Sequence, residues 1–262
     1  MGNRIGDNLD RQSDRQTGFN IISLGFFCGV AQELERIGLR NKSFPFDWVI
    51  SGDFEKVIKL IESNFVSFMQ KNDLFQEYSI NPQYYYDINN KIHFYHDFNK
   101  YQSFDSQFLK IKEKYQWRIN RFYDTISHPT IFIRYVSSKK ELDFIKVKEH
   151  TINDLLKKFN DSNELIYIID NTLQGTKLSN KVFYVYKDKN DSVARQFLIQ
   201  KPELENYLRK MTYLSERQIN NNIKRKSIKY IKQRFKQIMN KLFNGFKKKN
   251  VYKYEKQYTE DC

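Results

Sequence analysis

Cys28 and the residues just before it have the types and spacing for nucleophilic chemistry. Ile21-Ile22-Ser23-Leu24 lead to Gly25, and a helical pattern of Val30, Leu34 and Ile37 begins soon after, so the stretch reads as strand, tight turn and helix. Cys28 then falls at the helix start, where unpaired N–H groups and the positive end of the dipole favour a thiolate. Attack of that sulfur on an acyl carbon would give a thioester, which water or another acceptor resolves. Backbone N–H groups around Phe27, Cys28 and Gly29 would supply an oxyanion hole, with Gly25 and Gly29 allowing close approach of a substrate. The competing reading of Cys28 is a small buried thiol, the usual state of a free cysteine.

A nucleophile of this kind needs a base within reach and a third group to orient the base. His96, in His96-Asp97-Phe98, is the best candidate for the base, and a core histidine bonded to a carboxylate is the alternative. Asp97 follows it directly and on a strand would face the other way, so Asp47 or Asp170 is the expected orienter. Arg134 sits near the end of an apolar strand, where it either binds an anionic group of the substrate or pairs with Asp47 or Asp170 in a buried bridge. Trp48, beside Asp47, is read as a pocket edge or a packed lid. There is no His/Cys cluster with zinc spacing and no Gly-rich phosphate loop, so neither a metal nor another cofactor is expected.

The run Ser23-Leu24-Gly25-x-x-Cys28, then Gly38-Leu39-Arg40, Ser43-x-Pro45-Phe46-Asp47-Trp48 and His96-Asp97-Phe98, resembles a bacterial family of unknown function described as papain-like cysteine peptidases. The likeness extends over about residues 19–200. It implies a cysteine-dependent hydrolase with Cys28 as nucleophile and His96 as base, acting on a peptide or an ester. Two other readings stand beside it: an esterase-like or transferase enzyme of glycan or surface-polymer metabolism, and a non-catalytic, membrane-associated binding protein.

Several elements must position these groups. Phe54, Val57, Ile58, Ile61, Phe65 and Phe68 recur at helical spacing after a cap at Ser51 or Asp53, and Phe104 to Ile126 makes a longer helix closed by Pro129. Tyr84 to Phe98 is a hairpin signal around Asn89-Asn90. Thr130–Val136, Leu165–Asp170 and Val182–Tyr186 read as buried strands, and Ser138 with Glu141 as a capping box for the helix between the first two. Alternating short strands and amphipathic helices predict an α/β fold: an open, mostly parallel sheet with helices on both faces, an inserted β-hairpin and a C-terminal basic amphipathic helix. A papain-like site is instead divided between a helical half and an antiparallel half, so periodicity and resemblance point to different folds. In a parallel sheet, ligands bind beyond the carboxyl ends of the strands, the edge where Cys28, Arg134 and Asp170 would gather.

The expected organisation is a flexible N-terminus (1–18), the α/β hydrolase domain (19–200), a basic helical appendage (201–250) and a flexible C-terminus (251–262). The 262 residues are 40% hydrophobic and 16% aromatic, enough for one large core. Two cysteines, Cys28 and Cys262, are too few for a disulfide framework, and neither a signal peptide nor a membrane span is legible, so a cytoplasmic protein is expected. Between Arg217 and Lys256, fourteen Lys or Arg residues face one acid, Glu255. With an apolar stripe beside them, these residues suit an anionic membrane surface, at the inner face of a membrane, or simple docking on the domain. Nucleic acid is the weakest of the three partners, because no recognised binding motif accompanies the charge.

Overall fold

The computed structural model describes residues 18–77, 84–175, 177–188, 191 and 193–257, with side chains as far as 239. The flexible ends expected at 1–17 and 258–262 lie outside the described residues. In chain order the elements are β1 (Asn20–Ser23), α1 (Gly29–Arg36), β2 (Val49–Ile50), α2 (Phe54–Glu62), β3 (Leu74–Gln76), β4 (Tyr85–Asp87), β5 (Ile92–Phe94), α3 (Phe104–Ile126), β6 (Thr130–Val136), α4 (Lys139–Lys157), β7 (Glu164–Asp170), β8 (Lys181–Val185), α5 (Phe197–Gln200), α6 (Pro202–Met211) and α7 (Glu216–Gln257).

Two four-stranded sheets result. The first, in order β1-β6-β7-β8, is parallel throughout, and the second, in order β2-β5-β4-β3, is antiparallel. The parallel sheet explains the continuous apolar runs of its central strands. On β6, Ile131, Ile133 and Tyr135 point to one face and pack with α1, α5 and α6, while Phe132 and Val136 point to the other and pack with α2, α3 and α4. Helices therefore cover both faces, as the alternation of elements predicts.

α3 follows its sequence period closely. Ser103 caps it by accepting from Ser106 N at 3.3 Å, and Phe108, Ile111, Tyr115, Ile119, Phe122 and Ile126 form its buried face. At the hairpin, Asp87 and Ile92 close the ladder, and Asp87 accepts from both the backbone and the side chain of Asn90. The left-handed residue of that turn is Lys91, at φ +52, rather than Asn89 or Asn90. The hairpin is also only half of its sheet. β2 and β3, two and three residues long, flank it and were too short to carry a period.

The basic helical stretch expected within residues 201–250 is two helices, α6 and α7. Phe19 reaches into the gap between them, donating from its N to Met211 O at 2.8 Å and accepting from Tyr213 N at 3.3 Å, so the chain ahead of β1 docks at the break. Leu204 and Leu208 of α6 are fully buried against the parallel sheet, which makes α6 part of the α/β core rather than of an appendage. α7 docks by Ile219 and Ile223, and Asn222 Nδ2 donates to Gly38 O at 2.9 Å. Among the described residues no helix is long and apolar enough to cross a membrane.

Candidate active site

The turn between β1 and α1 has an unusual backbone. Gly25 lies at φ +81 and Phe26 at φ +80, after which Cys28 returns to right-handed geometry as the residue capping α1. A bulky residue held left-handed is a genuine outlier, and such strain persists only where the surroundings over-determine it. Here they do. Gly25 N donates to Ser23 Oγ at 3.0 Å, Phe26 N to Ser51 Oγ at 3.2 Å, and Ser51 N to Phe26 O at 2.9 Å. Gly25 is buried, and a Cβ there would stand 2.6 Å from Ser51 Oγ, so the glycine serves the turn rather than the approach of a ligand.

Arg134 explains what holds Ser51. Its side chain is wholly buried on the α2–α4 face of the sheet, where Nε donates to Glu141 Oε1 at 2.7 Å, Nη1 to Leu24 O at 2.9 Å and Ser51 Oγ at 3.1 Å, and Nη2 to Ser51 O at 2.6 Å. The guanidinium also lies against the rings of Phe54 and Phe26. Arg134 thus faces no pocket, and its partner is neither Asp47 nor Asp170. Glu141 is one turn into α4, placed there by Ser138, which accepts from Glu141 N at 3.3 Å. The Glu141 carboxylate turns to Arg134 through Oε1 instead of completing the expected capping box. Ser51 likewise supports the turn, leaving Asp53 to cap α2 through Lys56 N.

Cys28 is half-buried between two concavities. A small, mostly apolar pocket of about 270 Å³ is lined by Phe26, Phe27, Cys28, Trp48, Val49, Ile50, Tyr95, His96 and Val193. A larger, more polar cleft of about 980 Å³ shares Phe27, Cys28, Trp48 and Val193, and adds Gln32, Arg36, Asp188 and Arg195 among others. Phe27 walls both, and a Cβ on Gly29 would come within 2.1 Å of its ring, so glycine at 29 makes room for Phe27. Gln32, one turn along α1, points its amide at the sulfur, with Nε2 to Sγ at 3.6 Å. Burial pushes the Cys28 thiol up from its ordinary range, and its own backbone N–H opposes this only in part. Desolvation thus works against the thiolate that the helix start favours, because the aromatic walls that shape the pocket also remove water from the sulfur.

His96 stands just past the end of β5, in a bend, and is exposed at the mouth of the small pocket. Its ring meets Trp48 edge to face at 6.3 Å between centroids, and among the described residues no side chain hydrogen-bonds to it. His93 is elsewhere, stacked between Tyr86 and Tyr95 with Nδ1 at 2.9 Å from Glu77 Oε2. Asp97 is tied to Lys114 and Tyr115. The nucleophile candidate therefore comes from the parallel sheet and the histidine from the antiparallel one, and the loop carrying Trp48 joins them.

The two other acids are engaged away from the imidazole. Asp47 Oδ2 accepts from Arg40 Nε and from Phe44 N, each at 2.9 Å, and burial raises its carboxyl despite the guanidinium. Arg40 in turn lies 5.0 Å from the centroid of the Trp48 ring, so Asp47 touches the site only through Arg40 and Trp48. Asp170, fully buried at the end of β7, accepts from Thr172 N and Oγ1 at 3.0 and 2.9 Å and pairs with Lys187 at 3.1 Å. β6 lies between β7 and β1, and Asp170 lines neither concavity. Sequence reasoning missed Gln32, Ser51 and Glu141. Gln32 was in principle visible as i+4 from Cys28 on a helix, the spacing that brings side chains together.

Residues 19–171 match a family model whose description is "Putative papain-like cysteine peptidase". A similar protein is an uncharacterised one from Acanthamoeba polyphaga mimivirus, 30% identical over 191 residues, which cover 65% of this chain and 79% of the viral one. A viral relative means that the likeness is not confined to bacteria. No solved structure matches this chain.

Proposed function

The chain belongs to the family that carries this description, and from that premise we propose that it is a thiol-dependent acyl hydrolase with Cys28 as nucleophile and His96 as general base. The observation that carries the proposal is that Cys28 and His96, brought from different sheets, line the same pocket of about 270 Å³. His96 takes the Sγ proton as the sulfur attacks the acyl carbon. The oxyanion that forms is met by the first N–H groups of α1, which have no partner within the helix, and by Gln32 Nε2. The imidazolium then protonates the leaving group, and a water deprotonated by His96 hydrolyses the thioester. A thiol with a raised pKa suits this order, since it stays protonated until the base acts.

The small pocket would take an apolar acyl part and the larger cleft a polar leaving group. Asp47 is a positioning residue in this scheme, acting on His96 through Arg40 and Trp48. The polar lining of the cleft equally suits a glycan-bearing leaving group, and matched ester and peptide probes separate the two. The test is acylation by p-nitrophenyl acetate, read by p-nitrophenol release and by the mass of the peptide containing Cys28, with Cys262→Ser as background. Acetylation should be found on Cys28, and His96→Ala should slow it by about 10²–10⁴, the usual contribution of a positioned base. Acylation at Cys28 indifferent to His96→Ala would sink the assignment of the base, and acylation confined to other residues would sink that of the nucleophile.

A further inference from the structure

α7 has two apolar faces that point in different directions. Ile219 and Ile223, on its first turns, pack against the domain. Ile228, Ile231, Phe235 and Ile238 then follow at spacings of three and four, with Met239 next to the last, and each of the four is more than half exposed. With 3.6 residues per turn, this second set is rotated by roughly 120° from the first, so docking the helix leaves it uncovered. The two stripes mean that no one face is apolar from Glu216 to Met239. The segment Ile228–Met239 by itself is amphipathic.

Cations border that distal stripe on both sides. On the helical wheel Arg225, Lys232 and Lys236 lie along one margin and Arg234 along the other, and between Glu216 and Glu255 the sequence has no acid. We propose that this face of α7, centred on Ile228–Met239, binds the surface of an anionic lipid bilayer, with the helix lying in the interface. Apolar side chains enter the acyl boundary, and the long bordering cations reach up to the lipid phosphates. The three-and-four spacing would also serve a coiled coil with a second copy, but the flanking positions would then set cation against cation. The same helix carries Lys226, which lines the cleft beside Cys28 and lies 3.7 Å from Glu35. Two residues apart on the helix, Lys226 and Ile228 point to nearly opposite sides, so a bound helix leaves the cleft on the side turned away from the bilayer.

The experiment is co-sedimentation of the full chain with vesicles of phosphatidylcholine alone and of phosphatidylcholine with phosphatidylglycerol. Binding to the anionic vesicles only, weakening with added salt, is expected. Ile231→Asn with Phe235→Asn should lower it at least tenfold, with an unchanged near-UV circular dichroism spectrum because both side chains are exposed. Lys232→Ala with Lys236→Ala should lower it about thirtyfold at low salt, from about 1 kcal/mol per cation. Failure to bind anionic vesicles, or binding that survives the loss of Ile231 and Phe235, would overturn the proposal. So would a concentration-dependent dimer in vesicle-free ultracentrifugation that those two substitutions abolish, since the stripe would then belong to a second copy.

Discussion

Replacing Arg134 by methionine should unfold the support of the cysteine turn from beneath. Four hydrogen bonds leave together: those to Glu141 Oε1, Leu24 O, Ser51 Oγ and Ser51 O. Each acceptor left dry would cost about 1–3 kcal/mol, but the losses share one site and do not add. The buried, uncompensated Glu141 carboxylate dominates, and breaking such a pair typically costs about 3–5 kcal/mol. That is a fifth or more of the stability of a domain worth about 5–15 kcal/mol. Urea unfolding at pH 7 should show it as a lowered midpoint with little change in slope. The loss depends on pH. Burial already raises the Glu141 carboxyl above the ordinary carboxylate range, and without Arg134 it rises further. A raised carboxyl pKa gives stability that is fully present below the unfolded value and lost as pH rises through the folded one, so the variant should approach the parent near pH 4 and diverge from it towards neutrality. Arg134→Met with Glu141→Leu, which removes both charges, should recover most of the loss at pH 7. A single variant within about 1 kcal/mol of the parent at pH 7, or a gap that widens towards acid, would refute the reasoning.

Gly25→Ala meets both a left-handed backbone and Ser51 Oγ, and should cost about 2–4 kcal/mol in urea unfolding, whereas a loss below about 0.5 kcal/mol would mean that the turn is slack. The Cys28 thiol should be alkylated by iodoacetamide with a midpoint above the ordinary 9.0, since burial raises it, and a midpoint below that value would show that the helix start outweighs desolvation. His93→Ala, which breaks a stacked ring and the contact to Glu77, should lower thermal stability and leave acylation of Cys28 intact, while His96→Ala should do the reverse. Ser138→Ala should cost about 1 kcal/mol through loss of the α4 cap, read by thermal unfolding.

The long-period elements were legible because their sequences are locally consistent. Phe108 to Ile126 fixes a helix face by spacing alone, and the unbroken run Thr130–Val136 can only be a strand with both faces covered. Short or tertiary features were not. β2 and β3 have too few residues for a period, while the break between α6 and α7, where Phe19 docks, had a local mark in Ser215 and Gln218, whose reciprocal bonds form a capping box at the start of α7. At the site, the strand-turn-helix setting of Cys28 could be read from Gly25 and the helical spacing after it. The partner of Arg134 could not, because Glu141, Asp47 and Asp170 are chemically alike and only packing chooses among them. Asp47 found a local cation, Arg40, seven residues before it. The surroundings of the thiol were only half legible for a related reason: the helix start is visible in sequence, but the aromatic walls that dry the sulfur come from three separate segments.

The pairing of β1 with β6 sets a timetable for the nascent chain. Leu24 O waits for a donor on Arg134, 110 residues later, and β1 has no other neighbour in its sheet. At about 5–20 residues per second, the ribosome takes roughly 5–20 s to make that stretch. Until then the cysteine turn has neither its edge partner nor its guanidinium support, and parallel pairing over such a separation is slow to close even once both strands exist. The turn is therefore made early and set late: its left-handed backbone at Gly25 and Phe26 is held from beneath only once β6 brings Arg134 to Leu24 O and Ser51.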